Sequence, residues 1–257
     1  MTKRSTWALP YFIFLVLFVV LPLLLIVLYA LQDGSGHFSL GTIAKFFTDK
    51  DALGTFALSI EVAIENTLLC LLLGYPAAYI LANKNLNRSA VTVVLFILPM
   101  WINALMRTLA TAELFTMAGI TLGKGTLIFG MCYDYLPFMI YPIYNVLSKM
   151  DKSYAEAAQD LGATGGEVFR KVTLPLSMPG VWSGVMMVFM PTVSTFAISE
   201  FLTNNRIKLF GTIIQENINN SMWNYGAALS LIMLVIIGFT TLLNKDDRQE
   251  ASNGGII

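Results

Sequence analysis

Met150-Asp151-Lys152-Ser153-Tyr154-Ala155-Glu156-Ala157-Ala158-Gln159-Asp160-Leu161-Gly162, running on to Val172-Thr173-Leu174-Pro175, is a polar stretch set between two long apolar runs. Ser153 and Glu156 have the S-x-x-E spacing of a capping box, which predicts a short helix starting there. Gly162 stands where a terminal glycine would end it. Thr164 and Glu167 repeat the spacing and predict a second short helix, and Pro175 marks the start of the next apolar helix. The stretch therefore reads as a helix–turn–helix and not as a loose linker. On local physics alone two readings stand open: Glu156 only caps a helix and Gly162 only ends one, or the two serve a further role.

Outward from this stretch the chain is strongly apolar. Of its 257 residues 56% are hydrophobic and 12% charged, and mean hydropathy is +0.68. Soluble domains carry roughly 25% charged residues, and a soluble fold with so few would expose apolar surface and aggregate. A bilayer removes that difficulty, so the composition predicts an all-α membrane protein.

A spanning helix needs about 20 apolar residues. Six segments meet or approach this: Ala8 to Leu31, Phe56 to Ala82, Ala90 to Phe115, Thr126 to Leu147, Leu176 to Phe201 and Tyr225 to Leu243. The first follows Lys3 and Arg4, as a signal peptide would, but it is too long and ends without an Ala-x-Ala site. It is expected to remain as a spanning helix. With the N-terminus inside, ten Lys and Arg residues fall in inner segments and five in outer loops. The positive-inside rule then places both termini, and the 150–175 loop, in the cytoplasm. The expected organisation is a cytoplasmic N-terminus over 1–7, a six-span domain over 8–243, and a polar tail over 244–257 without fixed structure.

Several functions are excluded. A net charge of zero gives no basic surface for nucleic acid. Cys70 and Cys132 lie in apolar segments, far from any CxxC or Cys/His spacing, and His37 is the only histidine, so neither a metal site nor a histidine triad is expected. Gly119-Ile120-Thr121-Leu122-Gly123-Lys124 is one residue short of a Walker A sequence, and Gly125 follows where Ser or Thr is required. The chain is expected to hydrolyse no ATP.

The complete string of the opening stretch carries more than its parts. Glu-Ala-Ala, three residues, Gly, nine residues and Val-x-Leu-Pro resembles the EAA loop of binding-protein-dependent ABC importer permeases, with Val172 where that family has Ile. The resemblance implies a type I permease bundle whose cytoplasmic loop is a coupling helix docking on an ATP-binding subunit. Glu156, Ala157, Ala158, Asp160, Gly162, Leu174 and Pro175 are the implied coupling residues. Ala157 and Ala158 allow close approach, and Glu156 and Asp160, at i, i+4, share a face that can meet basic groups.

Three other stretches are similar to polyamine-importer permeases for spermidine and putrescine: Leu73-Gly74-Tyr75-Pro76-Ala77-Ala78-Tyr79, Pro99-Met100-Trp101, and Leu136-Pro137-Phe138-Met139-Ile140-Tyr141-Pro142. The loop from Asn204 to Met222 departs from that pattern. The resemblance implies two copies of an ATP-binding subunit (PotA-like), a second permease (PotC-like) and an extracellular substrate-binding protein (PotD-like). ATP and Mg are used by the ATPase, and no cofactor is bound by this chain. It implies the cell membrane of a prokaryote as location.

The residues point independently to a cationic cargo. Glu61, Glu65, Glu113, Asp134 and Glu200 fall in outer halves or ends of the spans, and carboxylates in a membrane mark a pathway or a pair. Tyr133 and Tyr135 flank Asp134, and Trp101 lies in the third span, a set suited to an organic ammonium through charge and cation–π contact. Asp134, Glu200, Trp101, Tyr133 and Tyr135 are therefore candidate pathway residues. Glu61, Glu65 and Glu200 can equally contact interfacial water, and Arg107 can pair with one of the acids. Thr192, Thr195 and Ser199 line one side of the fifth span, Thr192 and Thr195 serving a pathway or a subunit interface, or helix packing as the favoured alternative. Gly180 and Gly184 form a small-xxx-small packing pair.

Two rival classes remain. A secondary transporter would need no EAA loop and would fail with an uncoupler while ATP persists. An intramembrane enzyme would need a catalytic dyad, and no HExxH, GxSxG or matched aspartate pair occurs. Within the importer class the alternative cargoes are an iron complex, a phosphonate or another organic cation.

Overall fold

The computed structural model describes residues 9–83 and 90–253, and within these the side chains from 9 to 83 and from 91 to 239. The expected N-terminal segment 1–7 lies outside the described residues, as do Lys84 and Arg88. Each of the six apolar segments is mostly helical where it is described, and two of them contain a break. By length and composition, three helices suffice to cross a membrane among the described residues, or four if a bent pair is one span. This is an integral membrane fold.

Helix α1 is Leu9–Ala30, followed by α2, Gly41–Thr48, and α3, Lys50–Ala82. Both α1 and a later helix carry a π-type segment just before a proline. In α1 it is Val16–Val20, ahead of Pro22. A proline ring meets the carbonyl of the preceding turn, and the wider π turn relieves that contact within a continuous helix.

The third apolar segment departs from the expected single span. It forms α4, Ala90–Ile97, extended by a 3-10 turn through Trp101, and α5, Ala104–Met117. The two are bent by 91°. Ile102 is extended, and the Asn103 carboxamide accepts from the N–H groups of Leu105 and Met106, which starts a new helix there.

Helix α6 is Lys124–Lys149. Helix α7, Ser153–Asp160, lies in the connecting loop. Helix α8 runs unbroken from Gly165 to Ser194, so the expected second short helix merges with the fifth span. Pro175 does not interrupt it, because the π segment Phe169–Thr173 comes first. The far end breaks at an extended Thr195, and α9, Ala197–Thr203, takes the rest of the expected span. Then come α10, Phe210–Asn219, and α11, Trp223–Asn253. Helix α11 continues past Leu243, where a tail without structure is expected. Lys245 to Ala251 are mostly good helix formers, which accounts for the extension.

The chain divides into two compact units, Met1–Thr55 with Ile213–Ile257, and Phe56–Thr212. In the first, α11 packs on α1 and α2. The Asn224 amide donates to the carbonyls of Tyr29 and Gln32, each at 3.1 Å. The Tyr225 hydroxyl donates to Asp49 at 2.8 Å, and Lys45 lies 4.4 Å from the centre of its ring.

The second unit is built on α6 against α8. A Cβ added to Gly180 would lie 3.0 Å from the Pro142 carbonyl oxygen. At Gly184 it would lie 2.7 Å from the Met139 sulfur and 3.1 Å from its carbonyl oxygen. These glycines let two backbones touch, the packing role their spacing predicts. A Cβ added to Gly74 of α3 would lie 2.9 Å from the Met139 Cγ, so α3 also approaches this residue, through its side chain. Cys70, Cys132, Met139, Ile140, Ile143 and Val188 form the buried core around this contact.

Candidate functional site

Two groups of candidate residues lie in the second unit, and the structure treats them differently.

The first is the loop around α7. Its start is built otherwise than the S-x-x-E spacing predicts. Ser153 is the first residue inside the helix, and no side-chain cap comes from Lys152. The Asp151 carboxylate supplies the turn instead, accepting the Ser153 N–H at 2.9 Å. That bond holds Asp151 below the ordinary carboxylate range. Glu156 is thereby freed from capping. The far end follows the prediction. Gly162 has φ +86°, and the N–H groups of Gly162 and Ala163 reach back to the carbonyls of Gln159 and Ala158, a glycine-terminated helix end. Glu167 then closes back on Thr164, accepting from its N–H and its hydroxyl at 3.0 Å each. Lys171 adds a contact at 3.1 Å. The Thr164 N–H and Lys171 together pull Glu167 below its ordinary range.

Helix α7 has two unlike sides. Lys152, Ala155, Glu156 and Gln159 line a cleft of about 360 Å³ against Tyr79 and Leu147 at the ends of α3 and α6. Asp160 does not line it, and both Glu156 and Asp160 are exposed. Tyr154 and Leu161 stand free, 57% and 90% exposed. Ala157 is exposed and Ala158 half-buried. Leu174 and Pro175 lie inside α8, past the π segment.

The second group is the polar interior. Asp134 on α6 is buried, and Arg107 of α5 lies 3.0 Å away with both side chains nearly inaccessible. The Thr108 hydroxyl donates to the other Asp134 oxygen at 3.1 Å. The guanidinium stands 5.4 Å from the centre of the Tyr133 ring. Asp134 therefore has a partner within its own chain and is not the open carboxylate that its place in an apolar span suggests. Tyr135 shares α6 with it and reaches the Thr195 hydroxyl at the end of α8. Thr192 is fully buried, accepting from Asn66 at 3.0 Å and donating to the Val188 carbonyl at 2.7 Å. It joins α3 to α8.

The remaining candidates lie apart. Trp101 stands at the α4–α5 bend, 88% exposed, and Glu200 is half-buried in the first turn of α9. Glu61 and Glu65 are clamped by Lys124 at 2.7 and 2.8 Å. Sequence reasoning passed over Asn66 and Thr108. A lone amide in the middle of an apolar run was the available signal for Asn66; Thr108 gave none beyond its place next to Arg107.

The sequence profile described as "Binding-protein-dependent transport system inner membrane component" matches residues 4–245. The spermidine/putrescine transport system permease protein PotB of Escherichia coli K12 is 31% identical over 252 residues, covering 89% of this chain and 92% of the relative. That of Salmonella typhimurium SL1344 is 30% identical over 253 residues, covering 89% and 88%. A PotB homolog from Mycoplasma genitalium is 27% identical over 232 residues, covering 85% and 81%. Among solved structures, a chain of a bacterial ABC transporter involved in import of the acidic polysaccharide alginate superposes with TM-score 0.70 at 16% identity, covering 96% of this chain and 98% of the other. That likeness concerns the fold.

Proposed function

The chain belongs to the binding-protein-dependent transport system inner membrane component family, and on that premise we propose that it is one permease half of an ATP-driven importer of spermidine and putrescine. It is an integral membrane transporter subunit and not an enzyme. The observation that carries the cargo reading is the likeness to PotB along most of both chains. The carboxylate and aromatic residues Asp134, Tyr133, Glu200 and Trp101 suit a linear ammonium cargo.

In this reading the six helical segments are six spans, with both termini and α7 in the cytoplasm. The bent α4–α5 pair counts as one of them, since a broken helix is tolerated where it faces protein or a water-filled path. Energy comes from a separate pair of PotA-like subunits. Closure of that pair moves α7, and the glycine-ended α7 passes the motion to α8, whose helix begins three residues after Gly162. A PotC-like permease supplies the other half of the path, and a PotD-like protein delivers the amine from outside.

Uptake of radiolabelled spermidine and putrescine in cells deleted for this chain tests the reading. Uptake should vanish and return with the intact copy. Unchanged uptake in the deleted cells, or restoration that survives ATP depletion, would overturn it.

A further inference from the structure

The buried pair of Arg107 and Asp134 is close but badly made. The Nη2 of Arg107 is 3.0 Å from Oδ1 of Asp134, yet that oxygen has no hydrogen-bond partner among the described residues. The guanidinium Nε and Nη1 also lack an acceptor there. A well-formed Arg–carboxylate pair is bidentate, with two aligned N–H···O bonds. Here charge holds the two groups together without that alignment. The other carboxylate oxygen lies 3.1 Å from the Thr108 hydroxyl, which also reaches the Ala104 carbonyl. Oδ1 is thus a charged acceptor with its hydrogen-bonding capacity unused among the described residues.

Breaking a buried pair is costly when one charge is left alone. Here the guanidinium has a second support, the Tyr133 ring at 5.4 Å, a cation–π contact it can keep without the carboxylate. The ring itself is 44% exposed, in the residue next to Asp134.

We propose that Arg107 is a resident competitor for cargo: it neutralises Asp134 when the path is empty and yields Oδ1 to an arriving N–H-bearing ammonium. This role rests on the cargo reading above. It sets a specificity. A primary or secondary ammonium supplies the hydrogen bond that the guanidinium withholds. A quaternary ammonium or an alkali cation brings charge without an N–H and does not displace Arg107. The device keeps a carboxylate ready in the apolar interior without opening a route for common inorganic cations.

The assembled importer in proteoliposomes gives the test, through ATP-driven uptake of labelled spermidine and putrescine. With Arg107→Gln the competitor is gone, and KM should fall by roughly threefold or more while maximal uptake falls through slower release. Asp134→Asn should raise KM by about tenfold, and the double variant should follow Asp134→Asn. A tetraalkylammonium should not inhibit the wild-type complex but should inhibit Arg107→Gln. If Arg107→Gln does not assemble, Arg107→Lys keeps the charge. Its ammonium can align an N–H, so KM should rise. A KM unmoved by these variants, or a double variant restored to wild-type kinetics, marks a structural pair and overturns the role. Absence of ATP-dependent uptake of either amine by the wild-type complex overturns the cargo reading and this role with it.

Discussion

The α7 loop and the α5–α6 interior make an instructive pair. The loop is assembled from bonds between residues at most five apart, such as Asp151 with Ser153 and Ala163 with Ala158. It presents Tyr154 and Leu161 outward. The interior is assembled from distant residues: Thr108 with Asp134, 26 positions apart, and Asn66 with Thr192, 126 apart. It encloses its charges. One region leaves large side chains exposed and the other holds a charge in an apolar medium, where an unsatisfied group is expensive. A lesion in the first should therefore impair coupling with folding intact, and a lesion in the second should reach folding or affinity.

The largest effect belongs to the interior. Gly184→Leu would drive a side chain into Met139, where a Cβ alone already approaches the backbone at 3.1 Å. Overpacking commonly costs about 1–3 kcal/mol and more where backbone must move, so the yield of monodisperse permease after extraction should collapse. Normal yield would show that α6 and α8 separate easily.

Gly162→Asp should be nearly as damaging to transport and harmless to yield. The φ of +86° costs a non-glycine residue about 1–3 kcal/mol, and the strain is confined to the end of α7. Uptake at matched expression should be lost. Wild-type uptake would remove the loop's special status, and loss of protein from the membrane would erase the contrast with Gly184.

The smallest effect concerns pH. Asp151 and Glu167 are held below their ordinary values of 3.8 and 4.5 by hydrogen bonds present only in the folded loop. A depressed carboxylate stabilises the fold above its unfolded pKa, and the contribution is lost as pH falls through the lower folded value. Amide exchange protection in α7 should thus be insensitive to pH near neutrality, once corrected for intrinsic rates. It should weaken only below the ordinary values. A loss of protection setting in above pH 4.5 would show that these two caps do not govern the loop.

The same division explains what was legible in the sequence. Gly162 and the Thr164–Glu167 closure could be read because their bonds are short-range and their spacing is diagnostic. Ser153 misled because Asp151, two residues earlier, competes for the same N–H group. The bend at Asn103 was concealed by an apolar run on both sides, since hydropathy records composition and not direction. Gly180 and Gly184 were legible as a pair, though not the partner they meet. For Asp134 the sequence showed an acid in an apolar helix and left open which group faces it. Arg107 is 27 positions away, and its approach depends on how α5 leaves the bend.

The central claim is that α7 faces the cytosol and receives the ATPase. Ala157→Cys, placed on the exposed side of α7 in a chain with Cys70 and Cys132 replaced by serine, offers a single thiol for crosslinking in inverted and right-side-out vesicles. The account predicts a crosslink to the ATP-binding subunit, and labelling by an impermeant reagent only in inverted vesicles. Labelling from the outer face, or no crosslink in a complex that still transports, would contradict it.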